Sequence, residues 1–160
     1  MQFLPSGNAV LGMFNRFSGR GSAFFAIIAV DTGQELHRSN FLPEYSEQTI
    51  ISPDESFVAC LTRTRIRIYP LRERFTEPLA TLQTGTTLHF TDIAFHPSGK
   101  YLAATGNDRT VHFYDTKTWE IARTFTWQIG KMRSIAFSPD GATAAAGSDD
   151  RKVIIWDVDL

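Results

Sequence analysis

Two stretches decide the fold: AFHPSGKYLAATGNDRTVHFYD at residues 94–115 and AFSPDGATAAAGSDDRKVIIWD at residues 136–157, which align without a gap and share ten of 22 positions. Self-similarity at a fixed offset of about 20 to 50 residues marks arrays and propellers, whose units bury their apolar faces only against neighbours. The offset here is 42. Working outward, ISPDESFVACLTRTRIRIYP at residues 51–70 is an earlier copy, with Pro53 44 residues ahead of Pro97 and Pro97 42 ahead of Pro139. A first copy begins near Met1, where FLPSG at residues 3–7 matches FHPSG at residues 95–99 in four of five positions. In that copy AVDTGQEL at residues 29–36 echoes FYDTKTWEI at residues 113–121.

Inside each copy the side-chain period is two, as in strands: Val111, Phe113 and Asp115 alternate with His112 and Tyr114, and Val153 and Ile155 with Ile154 and Trp156. Between them sit Pro-Ser-Gly, Pro-Asp-Gly, Gly-Asn-Asp and Ser-Asp-Asp, residues that preset φ or tolerate positive φ and so close tight hairpins. Each copy therefore reads as a small antiparallel meander, and no long helical pattern competes. The small second strands, Leu102-Ala103-Ala104 and Ala144-Ala145-Ala146, suit the crowded middle of a sheet packed between neighbours.

These residues resemble the WD-repeat family of β-propellers, whose repeat of about 40 to 45 residues ends its third strand in Trp-Asp and builds one four-stranded blade. SDDRKVIIWD at residues 148–157 and NDRTVHFYD at residues 107–115 carry the resemblance most specifically. The second copy departs from it by ending in Tyr69-Pro70, and the first by an insertion, NRFSGRGS, at residues 15–22. The family's Gly-His pair before the first strand is replaced by Gly85-Thr86 and Trp127-Gln128. The resemblance implies an all-β, propeller-like array of about four four-stranded antiparallel blades, over residues 1–40, 45–84, 88–127 and 131–160. It also implies structural roles for Asp108 and Asp150 in the turns before the third strands, and for the closing aromatics Tyr114 and Trp156. The two carboxylates are expected to be buried and to accept backbone N–H groups of their own turns. Residues 3–5 match the end of a first strand and residues 156–158 the end of a third. The last blade is accordingly expected to lack its outer strand, with missing blades supplied by a longer chain, another copy or a partner.

Composition narrows the function. The chain has 160 residues, 16 Lys and Arg against 17 Asp and Glu, and a formal charge of −1, which argues against a dedicated nucleic-acid binder. Its longest apolar run, residues 23–30, is eight residues, far short of the about 20 that a membrane-crossing helix needs. Met1 to Gly12 has no basic start and is broken by Pro5 and Gly7, unlike a secretory signal. The single cysteine, Cys60, can neither close an internal disulfide nor build a thiolate metal cage, so a reducing compartment is expected: the cytoplasm, with the nucleus left open.

The chemistry-bearing residues read as structural. His37, His89, His96 and His112 include no pair at zinc-motif spacing, and no metal or other cofactor is expected. Ser52, Ser98 and Ser138 recur beside equivalent turns, whereas a nucleophile is normally unique. Gly19-Arg20-Gly21 lacks the strand-then-helix setting of a phosphate loop and reads as a hairpin tip. The one feature that resists a structural account is TRTRIRIYPLRER, with Arg63, Arg65, Arg67, Arg72 and Arg74 within twelve residues. Arg65 and Arg67 share one face of a strand, with Ile66 and Ile68 on the other. That face is either a solvated stripe neutralised by acids such as Glu73 and Glu77, or a basic patch for an acidic or phosphorylated partner.

The expected function is a non-enzymatic protein–protein interaction scaffold; the alternative is a regulatory or sensory propeller segment of a larger multidomain enzyme. A small-ligand channel would need convergent polar side chains on the inner strands, which read as apolar. Partner contacts are expected from the loops holding Arg63, Arg65, Asn107, Arg109, Trp127, Lys131, Asp149 and Arg151, with Trp127 and Arg109 as the leading anchors.

Overall fold

Short runs of β-branched and aromatic residues between Pro, Gly and Asp turns extend into strands, because period-two burial leaves no helical face to cover. The computed structural model describes residues 1–15, 23–39, 46–72, 77–83 and 89–158. Among them are fifteen strands and no helix. The first sheet is β1 (Gln2–Phe3), β2 (Ala9–Asn15), β3 (Ala23–Ala29) and β4 (Glu35–Arg38). The second is β5 (Gln48–Ile51), β6 (Phe57–Leu61), β7 (Arg65–Pro70) and β8 (Ala80–Gln83). The third is β9 (Phe90–Phe95), β10 (Tyr101–Gly106), β11 (Thr110–Asp115) and β12 (Ile121–Thr126). The fourth is β13 (Met132–Phe137), β14 (Thr143–Ser148) and β15 (Val153–Asp157). Within each sheet the order follows the chain, so the all-β array of meanders expected from the repeats is what the structure contains, with three strands in the fourth sheet among the described residues.

The insertion of the first copy leaves its hairpin regular: β2 and β3 pair from Ala9↔Ala29 to Asn15↔Ala23. The proposed tip at residues 19–21, and Glu73, Arg74 and the Gly85-Thr86 pair, lie outside the described residues. In both later blades the inner strand bulges at the same repeat position, skipping Thr91 opposite Thr105 and Gly106, and Arg133 opposite Gly147 and Ser148. A shared irregularity shows that the repeat specifies backbone geometry as well as pattern.

The chain divides into two compact units, Met1–Thr62 with Arg67–Thr81 and Arg63–Ile66 with Leu82–Leu160. In the first, Leu4, Ala9, Leu11, Phe25 and Ile27 of blade 1 form one core with Ile51, Val58, Cys60, Tyr69 and Leu71 of blade 2. In the second, Ala103, Val111 and Phe113 of blade 3 pack with Met132, Ile135, Ala144 and Ala146 of blade 4. The Phe113 ring is fully buried, edge-on to Phe125 at 5.1 Å and Phe137 at 5.5 Å. Such pairs each add about 0.5–1.5 kcal/mol beyond the burial of area.

The turns after the first strands meet across these cores. His96, 8% exposed, directs Nε2 to the Gly141 carbonyl at 3.0 Å while Nδ1 accepts the Ser98 N–H at 3.1 Å. Those two bonds select the tautomer with the proton on Nε2. Gly7, Gly99 and Gly141 hold one repeated position at φ near +73°, and in blade 2 that position is Glu55 at φ 58°. Its carboxylate accepts the Ser6 N–H at 2.7 Å and pairs with Arg72, contacts that offset the left-handed conformation.

Gly99→Ala and Gly141→Ala separate backbone strain from the clasp. Both force a β-carbon into the left-handed region, at about 1 kcal/mol. A β-carbon on Gly99 meets nothing within 4 Å, whereas on Gly141 it would lie 2.5 Å from His96 Nε2. Chemical denaturation is expected to show Gly141→Ala as clearly the more destabilising; equal losses would exclude the clasp.

Candidate interaction surface

Because the turns after the first strands are joined across blades 3 and 4, the hairpins between second and third strands, here the b–c turns, project from the opposite ends of these sheets. Each is clasped to the linker entering its own blade. His89 N donates to Asn107 Oδ1 at 2.9 Å and Asn107 N to the His89 carbonyl at 3.0 Å. Lys131 N donates to Asp149 Oδ1 at 2.8 Å and Asp149 N to the Lys131 carbonyl at 3.0 Å. Asn107 and Asp149, singled out from the sequence as partner contacts, thus each commit one oxygen to holding the surface in shape; Asp149 Oδ2 lies 3.4 Å from Arg133. The Arg63 carbonyl, in the b–c turn of blade 2, accepts the Phe90 N–H at 3.0 Å and brings that turn into the same unit.

Asp108, expected to be buried, is half-buried, and its Oδ1 accepts the Thr110 N–H at 3.2 Å and the Thr110 hydroxyl at 2.7 Å within its own turn. Thr110 Oγ1 lies 3.1 Å from His112 Nε2, and His112 Nδ1 lies 2.9 Å from the Thr124 hydroxyl. His112 is half-buried, and burial lowers its pKa against the raising effect of Asp108. Burial, with Asp108 nearby, also pushes the Tyr114 hydroxyl up to about 12, which keeps it neutral. Asp150 departs from expectation. It is exposed, and its partners are the Ser148 hydroxyl, the Lys152 ammonium at 3.0 Å and a backbone bond from Gly130 of the linker. The short Ser-Asp-Asp turn directs this carboxylate along the surface, so solvent supplies what a buried site would have demanded of neighbours. Trp156 lies at the end of β15, and its indole Nε1 is buried with no hydrogen-bond partner among the described residues.

The leading anchors separate. The Trp127 ring is half-buried, stacked on Phe125 at 5.9 Å and tilted against Trp156 at 4.7 Å, so it serves the junction of blades 3 and 4. Arg63, Arg109, Lys131 and Arg151 are exposed. Arg65 and Arg67 are half-buried between fully buried Ile66 and Ile68, the alternation expected of that strand.

Two residues that organise the units were missed. Glu55 replaces a repeated glycine, a visible break in pattern. Asp92 lies on an inner strand read as apolar: Oδ1 accepts the adjacent Ile93 N–H and Oδ2 crosses to Ile135 N of blade 4 at 2.8 Å. The one signal was an acid in FTDIAF where the next repeat has Ser134.

Two measurements test these roles. Asp92→Ala leaves the Ile135 N–H without an acceptor at a largely buried site, and unfolding is expected to show a loss of about 1–3 kcal/mol; an unchanged midpoint would exclude the bridge. The Ser148 hydroxyl and Lys152 hold the Asp150 pKa at about 2, from an ordinary 3.8. A depressed carboxylate pKa contributes stability above the ordinary value that disappears as pH falls through the folded value. Carboxyl NMR is expected to show Asp150 titrating near pH 2, with its turn loosening between pH 4 and 2 in the wild type and not in Asp150→Asn; titration near pH 4 would remove Ser148 and Lys152 as its partners.

Residues 76–115 and 119–157 match the model of the family described as WD domain, G-beta repeat. The chain is 36% identical over 75 residues to the Target of rapamycin complex subunit wat1 of Schizosaccharomyces pombe, a match covering 47% of this chain and 24% of that relative. The first matched repeat takes in β8 to β11 and the second β12 to β15, so each ends at the closing aromatic, Tyr114 or Trp156, and its Asp. The sheets, their turns and these matches place two WD repeats in this chain, at residues 76–115 and 119–157.

Proposed function

We propose that the chain is a non-enzymatic protein-interaction scaffold whose partner, an acidic or phosphorylated protein segment, docks on the b–c turn end of blades 2 to 4. The observation that carries this reading is the doubled clasp, which repeats at Asn107–His89 and Asp149–Lys131 the same pair of bonds, one between backbones and one from a backbone N–H to a side-chain oxygen, and so preorganises the loops before any partner arrives. Cations are concentrated there: Arg63, Arg109, Lys131, Arg133 and Arg151 stand among Asp108, Asp149 and Asp150, in a chain whose net charge is −1. The relative in Schizosaccharomyces pombe is itself a complex subunit, which supports a role within a protein assembly. A reducing compartment, the cytoplasm or the nucleus, suits Cys60, a buried thiol whose pKa burial pushes up to about 12.

Charge reversal tests the surface. Arg63→Glu with Lys131→Glu is expected to remove most proteins captured from a cell extract and quantified by mass spectrometry, with unfolding unchanged. Lys100→Glu with Lys117→Glu, in exposed turns at the other end of blade 3, is expected to leave capture intact. The reverse pattern would overturn the assignment of the surface.

A further inference from the structure

Arg109 and Arg151 occupy the same position of the b–c turn, 42 residues apart, with φ of 69° and 67°. Outside glycine and asparagine this left-handed conformation is costly, and folding alone gives no reason to place a long cation there twice. Both side chains are exposed, and neither makes an ion pair or hydrogen bond among the described residues. Their neighbours differ: Arg133 faces Asp149 at 3.4 Å and Lys152 faces Asp150 at 3.0 Å. The b–c turn of blade 2 supplies a third such cation, Arg63, likewise exposed and unpaired among the described residues, with its backbone fixed by the Phe90 N–H. One unengaged guanidinium thus stands on each of three successive b–c turns within one compact unit.

We propose that Arg63, Arg109 and Arg151 form a ladder that binds an extended acidic peptide segment, each guanidinium taking an Asp or Glu carboxylate. The proposal rests on the interaction surface above and specifies its ligand. A guanidinium offers a planar fork of donors that matches a carboxylate in bidentate fashion. Asp108 adjoins Arg109 in the chain and Asp149 and Asp150 precede Arg151, and a polyanion with uniform charge, such as RNA, would meet them as repulsion. A peptide with spaced acids and neutral residues between avoids that penalty.

The test uses fluorescence anisotropy on the whole chain with a labelled dodecapeptide of alternating Glu and Ser, a Gln-for-Glu control, a phosphoserine version and a single-stranded RNA. The Glu peptide is expected to bind with an affinity that falls as salt rises, and the Gln control not to bind. Arg63→Gln, Arg109→Gly and Arg151→Gly are each expected to weaken binding roughly 2- to 5-fold, and all three together at least tenfold. Because glycine adopts positive φ freely, Arg109→Gly and Arg151→Gly are expected to unfold at the same denaturant concentration or higher, so lost binding is not lost folding. Arg133→Gln and Lys152→Gln, which remove cations already paired, are expected to change affinity less than 2-fold. The ladder is overturned by equal losses from the paired and unpaired cations, by unchanged binding in the triple variant, or by tighter binding of the RNA or phosphoserine probe. If the Glu peptide fails while Arg63→Glu with Lys131→Glu still abolishes partner capture, the ladder falls and the surface stands; if capture also persists, both fall.

Discussion

The structure depends on covering sheets that are apolar on both faces. A blade of this sequence cannot bury its own residues, because Val111 and Phe113 of β11 and Ala103 of β10 face outward from the sheet toward the next one. The fully buried Phe113 ring reaches across the junction only because β14 presents Ala144 and Ala146, each 1% exposed, in place of longer side chains. Close packing of a large ring against small residues makes the junction intolerant of added volume in the second strands. Everything at the blade ends inherits this constraint, since turns can meet or splay only as the packed sheets direct them.

That inheritance divides the two ends. Where the turns after the first strands meet, the contacts run between blades: His96 on the buried Gly141 carbonyl, Glu55 on the exposed Ser6 N–H. At the b–c ends of blades 3 and 4 the turns are clasped to their own linkers, and side chains of the left-handed residues are released to solvent. Non-glycine residues with positive φ are Glu55, Arg109, Trp119 and Arg151 among those described. Glu55 stands where other copies have Gly7, Gly99 and Gly141, and its left-handed backbone is offset by contacts inside the protein. For Arg109 and Arg151 no side-chain contact among the described residues offsets it.

The repeat offset and period-two pattern were enough to read the strands and their meander order, because both are local properties of the chain. Turn positions were legible for the same reason: Pro-x-Gly and Asn-Asp-Arg constrain φ regardless of what packs on them. Asp150 was misjudged because its carboxylate depends on which way a three-residue turn points, and the packing of Trp127 on Phe125 and Trp156 was not legible because an aromatic beside a linker looks the same in sequence whatever ring it meets. Asp92 was hidden more deeply. Its acceptor role exists only when Ile135, 43 residues away, is laid beside it, and no spacing rule reports on that.

The boundaries of the matched repeats explain why the two kinds of contact segregate. Residues 76–115 contain His89 with Asn107, and residues 119–157 contain Lys131 with Asp149, so each repeat carries both halves of its own linker–turn clasp and one left-handed arginine. Asp92 with Ile135 and His96 with Gly141 instead join one repeat to the next. A repeat copied along the chain therefore brings a complete, preorganised b–c turn with it, while cohesion arises only between copies. Surface chemistry can then change in one repeat, as Thr110 and Lys152 or Asn107 and Asp149 differ at equivalent positions, without disturbing the contacts that hold its neighbour. The end that projects the arginines is free to vary because the other end is not.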